Sequence, residues 1–99
     1  MARDGGLYIP ERRRVLVHGK VQGLGIRLWM RSVAETLALV GSCRLRPDGV
    51  LEADVQGNRT LVKQFVVACK RGPAGAEIDR VETETVAVDR ALASFHVER

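Results

Sequence analysis

Aromatic side chains are scarce in this chain: Tyr8, Trp29, Phe65 and Phe95 are all that 99 residues carry. A sheet surface that reads RNA needs stacking aromatics on its central strands. Here Trp29 and Phe65 fall on apolar faces of helix-like segments, Phe95 alternates with polar residues on a terminal strand, and Tyr8 precedes the first strand. A pI near 9.7 and the run Arg12, Arg13, Arg14 supply charge without stacking. That is weak support for a nucleic-acid partner, and none is expected. The basic run has a simpler reading as a solvated strand edge that discourages edge-to-edge pairing.

Proline is also rare, at three residues, and with 45% hydrophobic and 28% charged residues the composition is that of an ordinary folded protein. No apolar run approaches the roughly 20 residues that span a bilayer. The opening MARDGGLYIPERRR has no apolar centre resembling a secretory signal. No membrane partner and a cytoplasmic location are therefore expected. Cys43 and Cys69 could form one disulfide at most, and reduced thiols are expected in that compartment. His18 and His96 are the only histidines, so a zinc site would need both of them and both cysteines from four separate segments. No metal and no cofactor is expected.

What is present fits one compact α+β domain, the most that such a length usually supports. Gly5, Gly6 and Pro10 mark residues 1–11 as a flexible tail, leaving 12–99 as the folded domain. Charge is unevenly placed. Residues 1–46 hold nine Lys or Arg against three Asp or Glu, whereas 47–99 hold seven against nine. The first half is the one that attracts anions.

Hydrophobic periodicity predicts the elements. Val15, Leu16 and Val17 form a β-branched run within 12–18 that stops at Gly19. From 25 to 39, Ile26, Trp29, Met30, Val33, Ala34 and Leu37 recur at helical spacing. Gly41 opens a second strand through Leu45, Pro47-Asp48-Gly49 signals a turn, and Leu51, Ala53 and Val55 alternate with Glu52, Asp54 and Gln56. Asn58 suits the N-cap of a helix over 59–71, with Leu61, Val62, Phe65, Val66 and Cys69 as its apolar stripe and Gly72-Pro73 as its stop. Residues 78–88 and the stretch around Phe95 and Val97 read as strands. The order predicts a ferredoxin-like βαββαβ sandwich: a mainly antiparallel sheet, two helices on one face and a short extra C-terminal strand.

The loop at 19–27 is the candidate for chemistry. A Gly-rich turn between a strand and a helix leaves backbone N–H groups free at the positive end of the helix dipole, which is an anion site. Gly23 and Gly25 allow unusual backbone conformations and keep side chains out of the way. Arg27, in the first helical turn, opposes the dipole unless an anion compensates it. The residues alone leave a second reading open, in which the glycines merely connect two elements and Arg27 is solvated. The loop lacks the Gly-Lys-Ser/Thr of a P-loop, and Leu28 stands where a dinucleotide fingerprint has its third glycine.

The stretch Val17-His18-Gly19-Lys20-Val21-Gln22-Gly23-Leu24-Gly25-Ile26-Arg27 resembles the first signature of the acylphosphatase family, with Leu24 for the usual Val and Ile26 for the usual Phe. Gly41-Ser42-Cys43-Arg44-Leu45, with Gly49 and Gly57 at matching distances, is similar to the second. With Gly72-Pro73 and Phe95 the resemblance covers residues 12–99. It implies a hydrolase acting on small acyl phosphates, with inorganic phosphate as product, and without metal or covalent intermediate; a monomer is expected. It also implies that Arg27 and the N–H groups of Gln22, Gly23, Leu24, Gly25, Ile26 and Arg27 hold the phosphoryl oxygens. Two positions depart from the pattern. Leu45 stands where the family has the asparagine that orients the attacking water, and leucine can neither donate nor accept a hydrogen bond. Ser42 replaces the usual aromatic residue. Asn58, the only asparagine, is accounted for by helix capping. The expectation is an acylphosphatase with weakened turnover, the alternative a phosphate-binding module of the same family without catalysis.

Overall fold

A computed structural model describes residues 8–98. The elements follow the order β1 (Pro10–Lys20), α1 (Leu24–Thr36), β2 (Val40–Leu45), β3 (Leu51–Asn58), α2 (Arg59–Arg71), β4 (Glu77–Val86) and β5 (Phe95–Val97). They form one five-stranded sheet in the order β4-β1-β3-β2-β5. β1 pairs antiparallel with both β3 and β4, β2 pairs antiparallel with β3, and β5 adds to β2 in parallel. The expected α+β arrangement is found.

Period-two alternation decides which side of the sheet is dry. Val15 and Val17 of β1, Cys43 of β2 and Leu51, Ala53 and Val55 of β3 are buried. They form one core with Met30 and Ala34 of α1 and with Val62, Phe65, Val66 and Cys69 of α2. Both helices therefore cover the same face.

Helix ends follow local chemistry. Asn58 takes extended dihedrals and its side-chain oxygen accepts from the N–H of Thr60 at 3.0 Å, capping α2 as its sequence position predicts. α1 stops at Thr36, three residues before the periodicity runs out. Ala38 adopts a left-handed φ of 56°. Its N–H donates to Glu35 O, and that of Leu39 donates to Ala34 O at 2.8 Å. This is a Schellman closure with alanine in the position glycine usually fills. Leu39 then turns inward to the core.

The face without helices is polar. Because β1 lies between β4 and β3, the run Arg12 to Arg14 is on a central strand, and its expected role as a strand edge is corrected. Arg12 Nη2 donates to Asp54 Oδ2 at 2.7 Å, and Arg12 Nη1 to the carbonyl of Ala87 at 3.1 Å. Arg14 pairs with Glu84, and Arg44 approaches Glu52 within 3.6 Å. Arg13, on the opposite side of the strand, pairs with Glu11. Cross-strand alternation thus brings basic and acidic residues into register, so the arginines are answered locally. β1 itself begins at Pro10, whose Cα partner is Asn58. Of the tail expected at 1–11, residues 1–7 lie outside the described residues.

Candidate active site

β1 and β2 are both antiparallel to β3, hence parallel to each other, so their C-terminal ends lie at the same end of the sheet. The 21–23 loop leaves β1 there and enters α1, while the turn after Leu45 leaves β2. Val21 is fully buried and anchors the loop, whereas Gln22, Gly23, Leu24 and Gly25 are exposed. The sequence thus fixes the loop by one apolar residue and leaves its glycine-rich rim to solvent.

Gly23 is the N-cap of α1, at φ 98° and ψ 150°. No side chain caps this end and its first turn holds no acidic residue, in contrast to the Asn58-capped start of α2. Helix geometry leaves the N–H groups of residues 23–26 without intrahelical acceptors, at the positive end of the dipole. The two glycines act differently. Gly23 needs a backbone conformation that L side chains rarely adopt, while Gly25 lies within the helix without positive φ. A Cβ at either would meet nothing within 4 Å. Gly25 contributes an open approach, not an unusual turn. Gly19 and Gly41 serve packing instead: a Cβ there would collide with the carbonyl oxygens of Glu77 and Asp54.

Arg27 lies one turn into α1, half-buried, and its Nε is buried with no hydrogen-bond partner among the described residues. An unpartnered guanidinium nitrogen is costly unless a ligand satisfies it. Beside it, the Cys43 thiol donates to the Arg27 carbonyl at 3.8 Å, placing β2 against the first turns of α1.

Leu45 ends β2 opposite Leu51 and packs against the core. Alternation puts it on the same side as Gly41 and Cys43, toward the helices, and Ser42 on the other. Ser42 pairs with Asp54 and His96, so its change from an aromatic residue affects the open face. The following turn is closed by Asp48. Its Oδ1 accepts from Val50 N–H at 3.1 Å and its Oδ2 from Arg46 Nη2 at 2.8 Å. The Val50 N–H, then Arg46, hold this carboxyl below its ordinary value.

Both cysteines are buried free thiols. Burial pushes Cys43 up to about 11 despite the opposing charge of Arg27, and pushes Cys69 up to about 12. Each stays protonated at neutral pH, so Cys43 supplies no thiolate nucleophile beside Arg27. The same shifts link to stability. The unfolded thiols ionise from about pH 8.5 upward while the folded ones keep their protons. Their contribution is intact below that value and is lost as pH rises toward 11 and 12. Thermal melts are expected to show Tm falling above about pH 9, with a shallower fall in Cys69→Ala. Identical slopes in the two proteins would count against buried thiol titration.

A family model described as acylphosphatase matches residues 13–97. An acylphosphatase of Rhodopseudomonas palustris (strain BisB5) is 38% identical over 87 residues, 88% of either chain. One of Koribacter versatilis is 40% identical over 88 residues, which span 89% of this chain and 80% of that one. The structure of an acylphosphatase from Coxiella burnetii superposes with a TM-score of 0.85 at 29% identity, covering 90% of this chain and 93% of its own.

Proposed function

The chain belongs to the acylphosphatase family, and on that premise we propose that it hydrolyses the carboxyl–phosphate bond of acyl phosphates to a carboxylate and inorganic phosphate, with turnover lowered by Leu45. The observation that carries this reading is the start of α1, which has neither a side-chain cap nor an acidic residue in its first turn and places the half-buried Arg27 beside it. Backbone N–H groups of the 22–27 loop and the Arg27 guanidinium hold the phosphoryl oxygens. In phosphoryl transfer most of the catalysis is such positioning and charge stabilisation. Water attacks phosphorus in line with the departing carboxylate, an already good leaving group.

Leu45 supplies no hydrogen bond to that water. One preorganised hydrogen bond is worth about 3 kcal/mol in the transition state, or about 10²-fold in rate. Phosphate binding is retained because it draws on the loop and Arg27, not on position 45. The open face supports the absence of a nucleic-acid partner: its arginines are matched by Asp54, Glu84 and Glu52, and Trp29, Phe65 and Phe95 all pack in or against the core on the other side of the sheet. No helix among the described residues is long and apolar enough to cross a membrane. We assign the protein as a cytoplasmic monomer acting on small molecules.

Leu45 also favours a second reading, a phosphate-binding module without turnover. Purified protein incubated with benzoyl phosphate decides between them. The first reading expects benzoate and phosphate in equal amounts above the spontaneous rate. The second expects phosphate to raise Tm with no release at high protein concentration.

A further inference from the structure

We infer that the side-chain amide of Gln22 holds the attacking water in this chain, taking over the task that Leu45 cannot perform; the inference rests on the acylphosphatase reading. A group that orients water for attack on phosphorus must accept one of its protons and leave an oxygen lone pair facing the phosphoryl group. Guanidinium groups cannot accept. Across residues 20–28, namely Lys20, Val21, Gln22, Gly23, Leu24, Gly25, Ile26, Arg27 and Leu28, only Gln22 carries a side-chain acceptor oxygen.

The opposite wall of the site narrows the choice further. From Leu45 to Val50 the only side-chain acceptor is the carboxylate of Asp48, and both its oxygens are engaged in closing the turn, with Val50 N–H and with Arg46. Gln22 is exposed, and none of the hydrogen bonds among the described residues uses its amide. Its Nε2 lies 3.9 Å from the position a Cβ would take on Gly49. The amide therefore spans from the phosphate loop to the β2–β3 turn, at the sheet end where Leu45 finishes β2. Gly49, at φ 88°, leaves that space clear.

The step balances without another reactant. The water oxygen bonds to phosphorus, and the phosphorus–oxygen bond to the acyl group breaks with its electron pair leaving on the carboxylate. One water proton stays on the phosphate product and the other passes to solvent: acyl phosphate dianion and water give carboxylate, hydrogen phosphate dianion and a proton. The Gln22 amide oxygen accepts a hydrogen bond throughout and is not itself protonated. Being on a long, exposed side chain, it contributes less than a fixed donor or acceptor would.

The test measures steady-state hydrolysis of benzoyl phosphate by wild type, Gln22→Ala, Gln22→Asn, Leu45→Asn and Gln22→Ala/Leu45→Asn. Gln22→Ala is expected to lower kcat roughly tenfold with KM within about twofold, below the 10²-fold expected of a fixed group. Phosphate should still raise its Tm, because the loop N–H groups and Arg27 remain. In the Leu45→Asn background the same change should cost less than about twofold, since the water is then held from β2. Gln22→Asn, one methylene short, should behave as Gln22→Ala. An unchanged kcat in Gln22→Ala, or an equal loss in both backgrounds, would overturn the inference while leaving the acylphosphatase reading intact. Absence of turnover in wild type would overturn that reading, and the Gln22 inference with it.

Discussion

Leu45→Asn is expected to raise kcat for benzoyl phosphate about tenfold in wild type, where Gln22 already holds the water, and up to about 10²-fold in the Gln22→Ala background, with KM changing by less than about threefold. The position is suited to a fixed group. It ends a strand paired with β3, on the side of the sheet that faces the helices. An amide there would be held by backbone hydrogen bonds instead of by its own flexible chain. Its gain would fall on kcat because water placement matters in the transition state, whereas in the proposed site substrate binding draws on the loop and Arg27. The change also has a cost. Leu45 packs against the core from a half-buried site, and replacing it with a polar group of similar size should lower stability by about 1–2 kcal/mol. Activity rising while Tm falls by a few degrees is the signature of a water site restored at the expense of packing. A fall in Tm with no gain in kcat would place the attacking water elsewhere.

How far the sequence foretold the molecule depended on whether its signals were local. Asn58 capping α2, Gly72 ending it and Pro47-Asp48-Gly49 turning β2 into β3 are contacts between near neighbours, and each was legible. The alternation of Leu51, Ala53 and Val55 gave the buried face of β3 for the same reason. Strand order was different. Nothing within Arg12-Arg13-Arg14 marks β1 as central; that follows from pairing with β3 and β4, residues far along the chain, whose Asp54 and Glu84 answer the charges. The end of α1 also escaped the periodicity, because its Schellman closure uses Ala38 where a glycine would have given the signal.

At the site, the loop and Arg27 were legible as types and spacing. The division of labour between Gly23 and Gly25 was not, since a positive φ and an open approach look alike in one-letter code. Nor was the direction of Gln22, as a loop side chain has no periodicity to reveal where it points. The sequence did carry the departure at Leu45 plainly, and the structure adds that the half-buried side chain packs against the core. Restoring asparagine there therefore has structural as well as chemical consequences.

Arg27 is the residue on which the account depends. Its guanidinium is the cation of the first turns of α1, no carboxylate sits in the first turn to neutralise it, and its buried Nε has no hydrogen-bond partner among the described residues. A planar donor in that position can take two phosphoryl oxygens at once and follow the charge as the bond to the carboxylate lengthens. Lysine would keep the charge without the paired geometry, so Arg27→Lys should recover little. Arg27→Ala removes both, and an arginine contacting a transferring phosphoryl group is typically worth about 10³–10⁵-fold in rate. Folding should survive, because removal of an unpaired charge from the positive end of a helix dipole relieves repulsion. The most direct measurement is the initial rate of phosphate release from benzoyl phosphate by wild type and Arg27→Ala at equal concentration, with Tm recorded for both. The account predicts release by wild type above the spontaneous rate, and release at the spontaneous rate by a folded Arg27→Ala. Equal rates from the two proteins, both above the spontaneous rate, would contradict it.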